Sequence, residues 1–247
     1  ELARDVADTA GRKVIVAGSV GPTGEIMEPV GTLSHALAVE MFLETADGLK
    51  AGGADVGWLE TISAAEEYRA AAEGFALAGL PWCGTMSFDT AGRTMMGLTA
   101  PGMHALIHSL DHPPIAFGAN CGVGASDLLR TVLGIGAAGL QTPIIAKGNA
   151  GIPKYVDGHI HYDGTPELTA DYARRARDAG ARIIGGCCGT TPTHLEKMRR
   201  ALETRPPAPR PTLDQSAAAM GGFSSPSDGT DGNGPSKSDR PRRRRRG

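Results

Sequence analysis

Aromatic rings are scarce in this chain: phenylalanine, tryptophan and tyrosine together make up 4% of its 247 residues. With 35 glycines, that speaks against an aromatic-rich β-sandwich and for helices and strands packed closely through tight turns. No run approaches the ~18–20 uninterrupted apolar residues of a membrane span. The polar start, Glu1-Leu2-Ala3-Arg4-Asp5, has no signal-peptide features. Cysteine is sparse at four, and without secretory features these thiols point to a reducing cytoplasm, where they serve metals or catalysis. Neither charge sign dominates, since the formal net charge is −2, but the distribution is uneven. Residues 205–247 hold nine Lys/Arg and four Asp/Glu, so the tail is basic and the remainder mildly acidic.

What is present is a repeated strand–helix pattern. Six apolar, β-branched runs recur: 13–17, 54–60, 80–88, 115–118, 143–147 and 181–184. Helical stretches lie between most of them. One spans 34–51, with Leu37, Met41 and Leu49 near period 3.6. Ser63-Ala64-Ala65-Glu66 reads as a capping box opening a helix to about Ala78. Thr165-Pro166 starts another that stops at Gly180, and Thr191-Pro192 starts the last, to about Glu203. Such alternation means βα units and parallel pairing. A doubly wound sheet and a (β/α)8 TIM barrel both fit. The barrel is favoured because it gathers all strand ends around one site. Six units are legible where a barrel has eight, so the chain is expected to lack the first two βα units and to be inactive in this form.

Composition changes near Arg205. Arg205-Pro206-Pro207-Ala208-Pro209-Arg210-Pro211 reads as a stiff linker. A Gly/Ser/Asp/Pro stretch follows, ending in Arg242 to Arg246. The expected division is therefore a barrel domain at 1–204 and a disordered tail at 205–247. Ala217 to Phe223 is the one tail segment apolar enough to dock on a partner subunit, which would make a homo-oligomer. The arginine run has no interleaved aromatics and no folded basic face. It reads as solubilising, with neither nucleic acid nor membrane as a partner.

Three of the four cysteines fall where chemistry collects. Cys187 and Cys188 sit in Gly185-Gly186-Cys187-Cys188-Gly189-Thr190, after the 181–184 run. Cys121 follows the 115–118 run in Ala119-Asn120-Cys121-Gly122. The bland reading of the pair is two core thiols or a vicinal disulfide, but the flanking glycines demand a sharp backbone turn. Three thiols at two strand ends match a three-thiolate Zn2+ site with one open position, the signature of catalytic rather than structural zinc. Cys83 lies inside a predicted strand and reads as a core residue. The histidines form no ligand set with the cysteines. His159 and His161 read as a surface turn, and His194 as an exposed residue in the first turn of the last helix. Gly18-Ser19-Val20-Gly21-Pro22-Thr23-Gly24 lacks the spacing of a phosphate loop and reads as a barrel loop.

The runs around these thiols, Phe117-Gly118-Ala119-Asn120-Cys121-Gly122 and Gly185-Gly186-Cys187-Cys188-Gly189-Thr190-Thr191-Pro192, resemble the zinc-dependent homocysteine S-methyltransferase family. Leu59-Glu60-Thr61, Ser87-Phe88-Asp89 and Lys147-Gly148-Asn149-Ala150-Gly151 agree, and the resemblance covers about residues 1–204. Within that family the chain resembles the bacterial betaine–homocysteine methyltransferases. The resemblance implies a (β/α)8 barrel, Zn2+ on Cys121, Cys187 and Cys188, and Glu60 gripping the substrate α-amino group. Asn149 would occupy or line the fourth position, and Ser19 and Ser87 would line the pocket. It also implies methyl transfer from betaine to a zinc-bound homocysteine thiolate, giving methionine and dimethylglycine. Alternatives are another donor, such as methylcobalamin or a methylsulfonium compound, or a catalytically silent barrel used as a binding module. Thr61 stands where some betaine-using relatives carry tyrosine. Trp58, Trp82 and Tyr155 are the remaining aromatic candidates for holding a quaternary ammonium.

Overall fold

A computed structural model of the chain describes residues 1–137 and 141–230. Six parallel strands form one sheet: β1 (Ala17–Val20), β2 (Val56–Ile62), β3 (Trp82–Met86), β4 (Ala116–Cys121), β5 (Ile144–Gly148) and β8 (Ala181–Gly186). The helices are α1 (Leu2–Thr9), α2 (His35–Ala51), α3 (Ala65–Ala78), α4 (Ala100–His108), α5 (Ala125–Gly136), α6 (Pro166–Ala179), α7 (Pro192–Thr204) and α8 (Leu213–Met220). A small antiparallel hairpin, β6 (Lys154–Val156) with β7 (His159–His161), is inserted between β5 and α6.

The strand order decides between the two candidate architectures. A doubly wound sheet reverses direction at a switch point. Here the order runs β1-β2-β3-β4-β5-β8 without reversal. That sequential winding is the (β/α) barrel pattern, of which eight strands close a full ring. Among the described residues, β1 and β8 each have one unpaired edge.

The sheet separates two apolar layers. One lies between strands and helices and includes Leu59, Phe75, Phe117, Leu129 and Tyr172, each 1% exposed or less. Burying side chains of this size stabilises the fold by about 1.5–3 kcal/mol apiece. The other layer, Val56, Cys83, Ala116 and Ile145 with Trp58 and Ile183 against it, fills the inward face. Cys83 is thus a core thiol, as its strand position suggested. Gly84 has a packing reason: a Cβ there would lie 2.1 Å from the Tyr68 hydroxyl of α3.

Several boundaries differ from the sequence reading, each for a physical reason. Pairing of the first strand starts at Ala17, four residues later than the apolar run, because Val16 is engaged by Asp55 through its N–H and its carbonyl. β3 starts after Pro81, which has no N–H to give to a ladder. The capping box at Ser63 does not form. Ala64 is the N-cap of α3 and makes no side-chain cap, while two acidic residues, Glu66 and Glu67, occupy the first turn. His194 is buried rather than exposed, because its ring closes a capping box with Thr191 and reaches the Gly164 carbonyl at 2.9 Å. His159 and His161 form β7, an exposed strand rather than a plain turn.

The segment 205–230 is not the structureless tail its composition suggested. Arg210 caps the carboxyl end of α5, with Nη2 donating to Leu133 O at 2.6 Å. α8 opens with a capping box of Thr212 and Gln215. Ser224 donates to the Asp127 carboxylate through N–H and hydroxyl, and Arg130 donates to Ser225 O at 2.7 Å. Phe223 lies under the Arg130 guanidinium, 4.6 Å from ring centroid to Cζ. Phe223, at the end of the segment expected to dock on a partner subunit, makes this contact within its own chain. The arginine run 242–246 lies outside the described residues.

Candidate metal centre

β4 ends in Asn120-Cys121, and β8 ends in Gly185-Gly186, just before Cys187-Cys188. The three sulfurs come within 4.8 Å of one another. Cys187 and Cys188 place their Sγ atoms 4.0 Å apart. The backbone fixes this unusual pair: Cys187 N–H donates to Gly148 O at 2.8 Å, and Cys188 O accepts from Ala150 N–H at 2.9 Å. Gly189, at φ 75°, then turns the chain away. The β5 end and the β8 end are thereby laced together, and both cysteine side chains reach the same space as Cys121.

The donor set fits zinc. At a Zn–S bond of ~2.3 Å, tetrahedral geometry sets sulfur–sulfur edges of about 3.8 Å, close to the 4.0 Å seen between Cys187 and Cys188. Cys188 is exposed while the other two are half-buried, which leaves one side of the cluster accessible. Amide N–H groups point at two of the sulfurs: Asn120 Nδ2 at 3.7 Å from Cys187 Sγ, and Asn149 Nδ2 at 3.7 Å from Cys121 Sγ. In the metal-free cluster the neighbouring Cys121, opposed by burial and aided by Asn120, the Cys188 backbone and Lys147, draws the Cys187 thiol below its ordinary value. Closeness to Cys187 and burial push Cys121 up.

Asn149 lines the site rather than presenting its oxygen to the open side. Its Oδ1 accepts from Cys188 N–H at 3.1 Å, and its Nδ2 also donates to Gly122 O at 3.0 Å. It braces the two cysteine loops against each other.

A charged patch adjoins the cluster. Glu60 of β2 accepts from Ser19 at 2.6 Å and pairs with Lys147 of β5 at 2.5 Å. Lys147 also lies 5.2 Å from the Trp58 ring centroid. Glu60, Lys147, Ser19 and Trp58 line a 320 Å³ pocket with Gly185 and Gly186, the residues that lead into Cys187. Burial alone would raise the Glu60 carboxyl, but Lys147 and Ser19 outweigh it and hold it below the ordinary glutamate range.

Ser87 stands apart from that patch. It is buried, at 3.5 Å from Asp89, and lines a separate 800 Å³ cavity with Thr61, Met95 and Met96. Of the aromatic candidates, Trp58 is engaged by Lys147, Trp82 is buried against Phe75, and Tyr155 is exposed on β6. The ring nearest the thiols is Tyr162, which sequence reasoning missed. It lies over Gly189, where a Cβ would be 2.4 Å from its Cγ. Burial and the neighbouring Cys188, Cys121 and Cys187 push its hydroxyl up. Asn120 and Lys147 were also missed, although Asn120 directly precedes Cys121 and Lys147 lies two residues before Asn149.

A sequentially wound parallel sheet with three thiols converging at its carboxyl ends defines an α/β barrel protein with a thiol cluster that could hold a metal ion. The chain matches the family model for homocysteine S-methyltransferase over residues 1–202 and belongs to that family. Among solved structures it is similar to the homocysteine methyltransferase MmuM from Escherichia coli. Against the apo form the TM-score is 0.62 at 24% identity, covering 81% of this chain and 69% of that one. Against the metallated form the TM-score is 0.58 at 24% identity, covering 81% of this chain and 65% of that one. The chain thus spans about two thirds of those proteins, and at this identity the likeness is one of fold.

Proposed function

We propose that this protein methylates the sulfur of homocysteine, with Zn2+ on Cys121, Cys187 and Cys188 and betaine as donor, giving methionine and dimethylglycine. The observation that carries this reading is the accessible three-thiol cluster lying next to a paired carboxylate and ammonium. Zinc held there would supply a Lewis acid that lowers the pKa of the substrate thiol, so that its proton passes to solvent and the sulfur is left as the thiolate nucleophile.

The chain's own residues do the rest. A homocysteine backbone is a zwitterion, and Glu60 and Lys147 offer it one group of each sign. Glu60 takes the α-ammonium and Lys147 the α-carboxylate, with Ser19 holding the Glu60 carboxylate in place. Ammonium and carboxylate so fixed, the side-chain sulfur extends toward the cysteines. The donor's methyl leaves a cationic nitrogen, so the departing amine is neutral and needs no proton; no general acid is required. The cavity beside Thr61 and Ser87 suits a cationic donor. Its lining includes Glu25, Glu66 and Asp89 and neither lysine nor arginine. A cytoplasmic location agrees with free thiols, and no helix among the described residues is long and apolar enough to cross a membrane.

The test is methionine formation by zinc-loaded protein given homocysteine and, separately, betaine, a methylsulfonium compound and methylcobalamin. Turnover with betaine supports the full reading. Turnover only with another donor keeps the homocysteine half and replaces the donor. Zinc-loaded protein that is inert with all three and does not bind homocysteine contradicts the proposal.

A further inference from the structure

Asn120 is fully buried at the end of β4, and its side chain has every hydrogen-bonding position filled. Its Oδ1 accepts from Thr61 N–H at 2.9 Å and from Thr85 Oγ1 at 2.7 Å. Its Nδ2 donates to Thr61 Oγ1 at 2.8 Å and to Cys187 Sγ at 3.7 Å. One amide therefore ties together β2, β3 and the loop after β8.

Thr61 is the telling partner. It has φ 68°, in the left-handed region that β-branched residues avoid. Such a conformation costs about 1–2 kcal/mol and persists only where surroundings enforce it. The bend coincides with the register shift between Leu59 and Ile62 in the β2–β3 ladder. It comes directly after Glu60, so it sets where the Glu60 carboxylate points. Both polar groups of Thr61 nearest the bend are held by the same amide that faces Cys187.

We propose that Asn120 is the positioning residue that couples the metal ligand Cys187 to the strained turn aiming Glu60, so that metal and amino acid are presented to each other in one geometry. This rests on reading the site as a zinc–homocysteine centre. Asn120 touches neither substrate nor reacting atoms; it acts through Cys187 and Thr61.

The coupling predicts two separable losses. In Asn120→Ala, Cys187 loses a donor and Thr61 loses its clamp. Zinc affinity, measured by competition with a chromophoric chelator, falls about 10–100-fold, the usual effect of deleting an outer hydrogen bond at a metal site. Homocysteine affinity, read from its effect on the absorbance of Co2+-loaded protein, falls as well. Adding Thr61→Gly permits the positive φ without a clamp. The double variant therefore regains homocysteine affinity but not zinc affinity. A purely structural role would give no such split. The isosteric Asn120→Asp keeps both accepted bonds and so the fold, and deletes the donor to Cys187. Its Co2+–thiolate absorption moves to longer wavelength, because the sulfur lone pairs are less stabilised. Wild-type zinc affinity in Asn120→Ala with an unmoved Co2+ band in Asn120→Asp would overturn the proposal. If the wild-type Co2+ spectrum ignores homocysteine, the homocysteine reading fails, while the metal-alone measurements still decide whether Asn120 holds Cys187.

Discussion

Lys147 Nζ lies 2.5 Å from Glu60 Oε2, joining residues 87 positions apart at the ends of β5 and β2. Neither side chain is freely solvated, each being 21% exposed, so the pair holds a defined geometry beside the thiols. In Lys147→Met, the Glu60 carboxyl loses its main stabilising partner and titrates closer to an ordinary glutamate. A carbon-detected NMR titration should show the rise. Because the folded value is depressed, this carboxylate stabilises the fold above the ordinary glutamate pKa of about 4.3, and the contribution is lost as pH falls through the folded value. Lys147→Met should therefore flatten the acid limb of the stability curve. An unshifted Glu60 titration would mean the pair is not formed in solution.

The metal assignment separates the four cysteines into three and one. Cys121→Ser, Cys187→Ser and Cys188→Ser should each cut zinc affinity by more than tenfold, measured by chelator competition. Cys83→Ser should leave it unchanged, since Cys83 is buried in the inward-facing core. Equal losses for all four would point to general unfolding instead of ligation.

Thiol reactivity should follow the same division. Burial pushes the Cys83 thiol up to about 11, leaving about one thiolate in a thousand at pH 8. Alkylation of metal-free protein followed by mass spectrometry should label the exposed Cys188 early and Cys83 last. Zinc should protect the three clustered thiols and leave Cys83 as slow as before. Early labelling of Cys83 would contradict its burial.

The segment 205–230 should contribute to stability. Phe223→Ala removes the ring beneath Arg130, and the buried Arg130–Asp127 pair loses cover. A loss of about 1–2 kcal/mol is expected, or roughly 2–8 °C in Tm for a domain of this size. Differential scanning calorimetry would measure it. No change in Tm would mean that this stretch rests on the barrel without holding it.

Much of this was legible in the sequence because it depends on local rules. Thr165-Pro166 and Gly180 bracket α6 through capping and a left-handed stop, and the structure keeps both. The three cysteines follow strand ends, and sequential βα winding brings strand ends together. What escaped depends on partners distant in sequence. Lys147 reads as a strand-end charge until Glu60 is placed opposite it. Asn120 is a polar residue beside a ligand until Thr61, 59 residues earlier, arrives under it. Tyr162 is brought to the thiols by the β6–β7 insertion and the bare backbone of Gly189. Only the stretch 205–230 departs from the expected disorder: Pro, Gly and Ser suggest it by composition, whereas Arg210 and Ser224 find partners on α5 that composition cannot show.

The most direct test of the central claim is zinc-edge X-ray absorption on the protein with and without homocysteine. Three cysteines with an open position predict three sulfur neighbours and one lighter atom in the free protein, and four sulfurs at ~2.3 Å once homocysteine is added. A sulfur count that does not change on adding homocysteine would contradict the account.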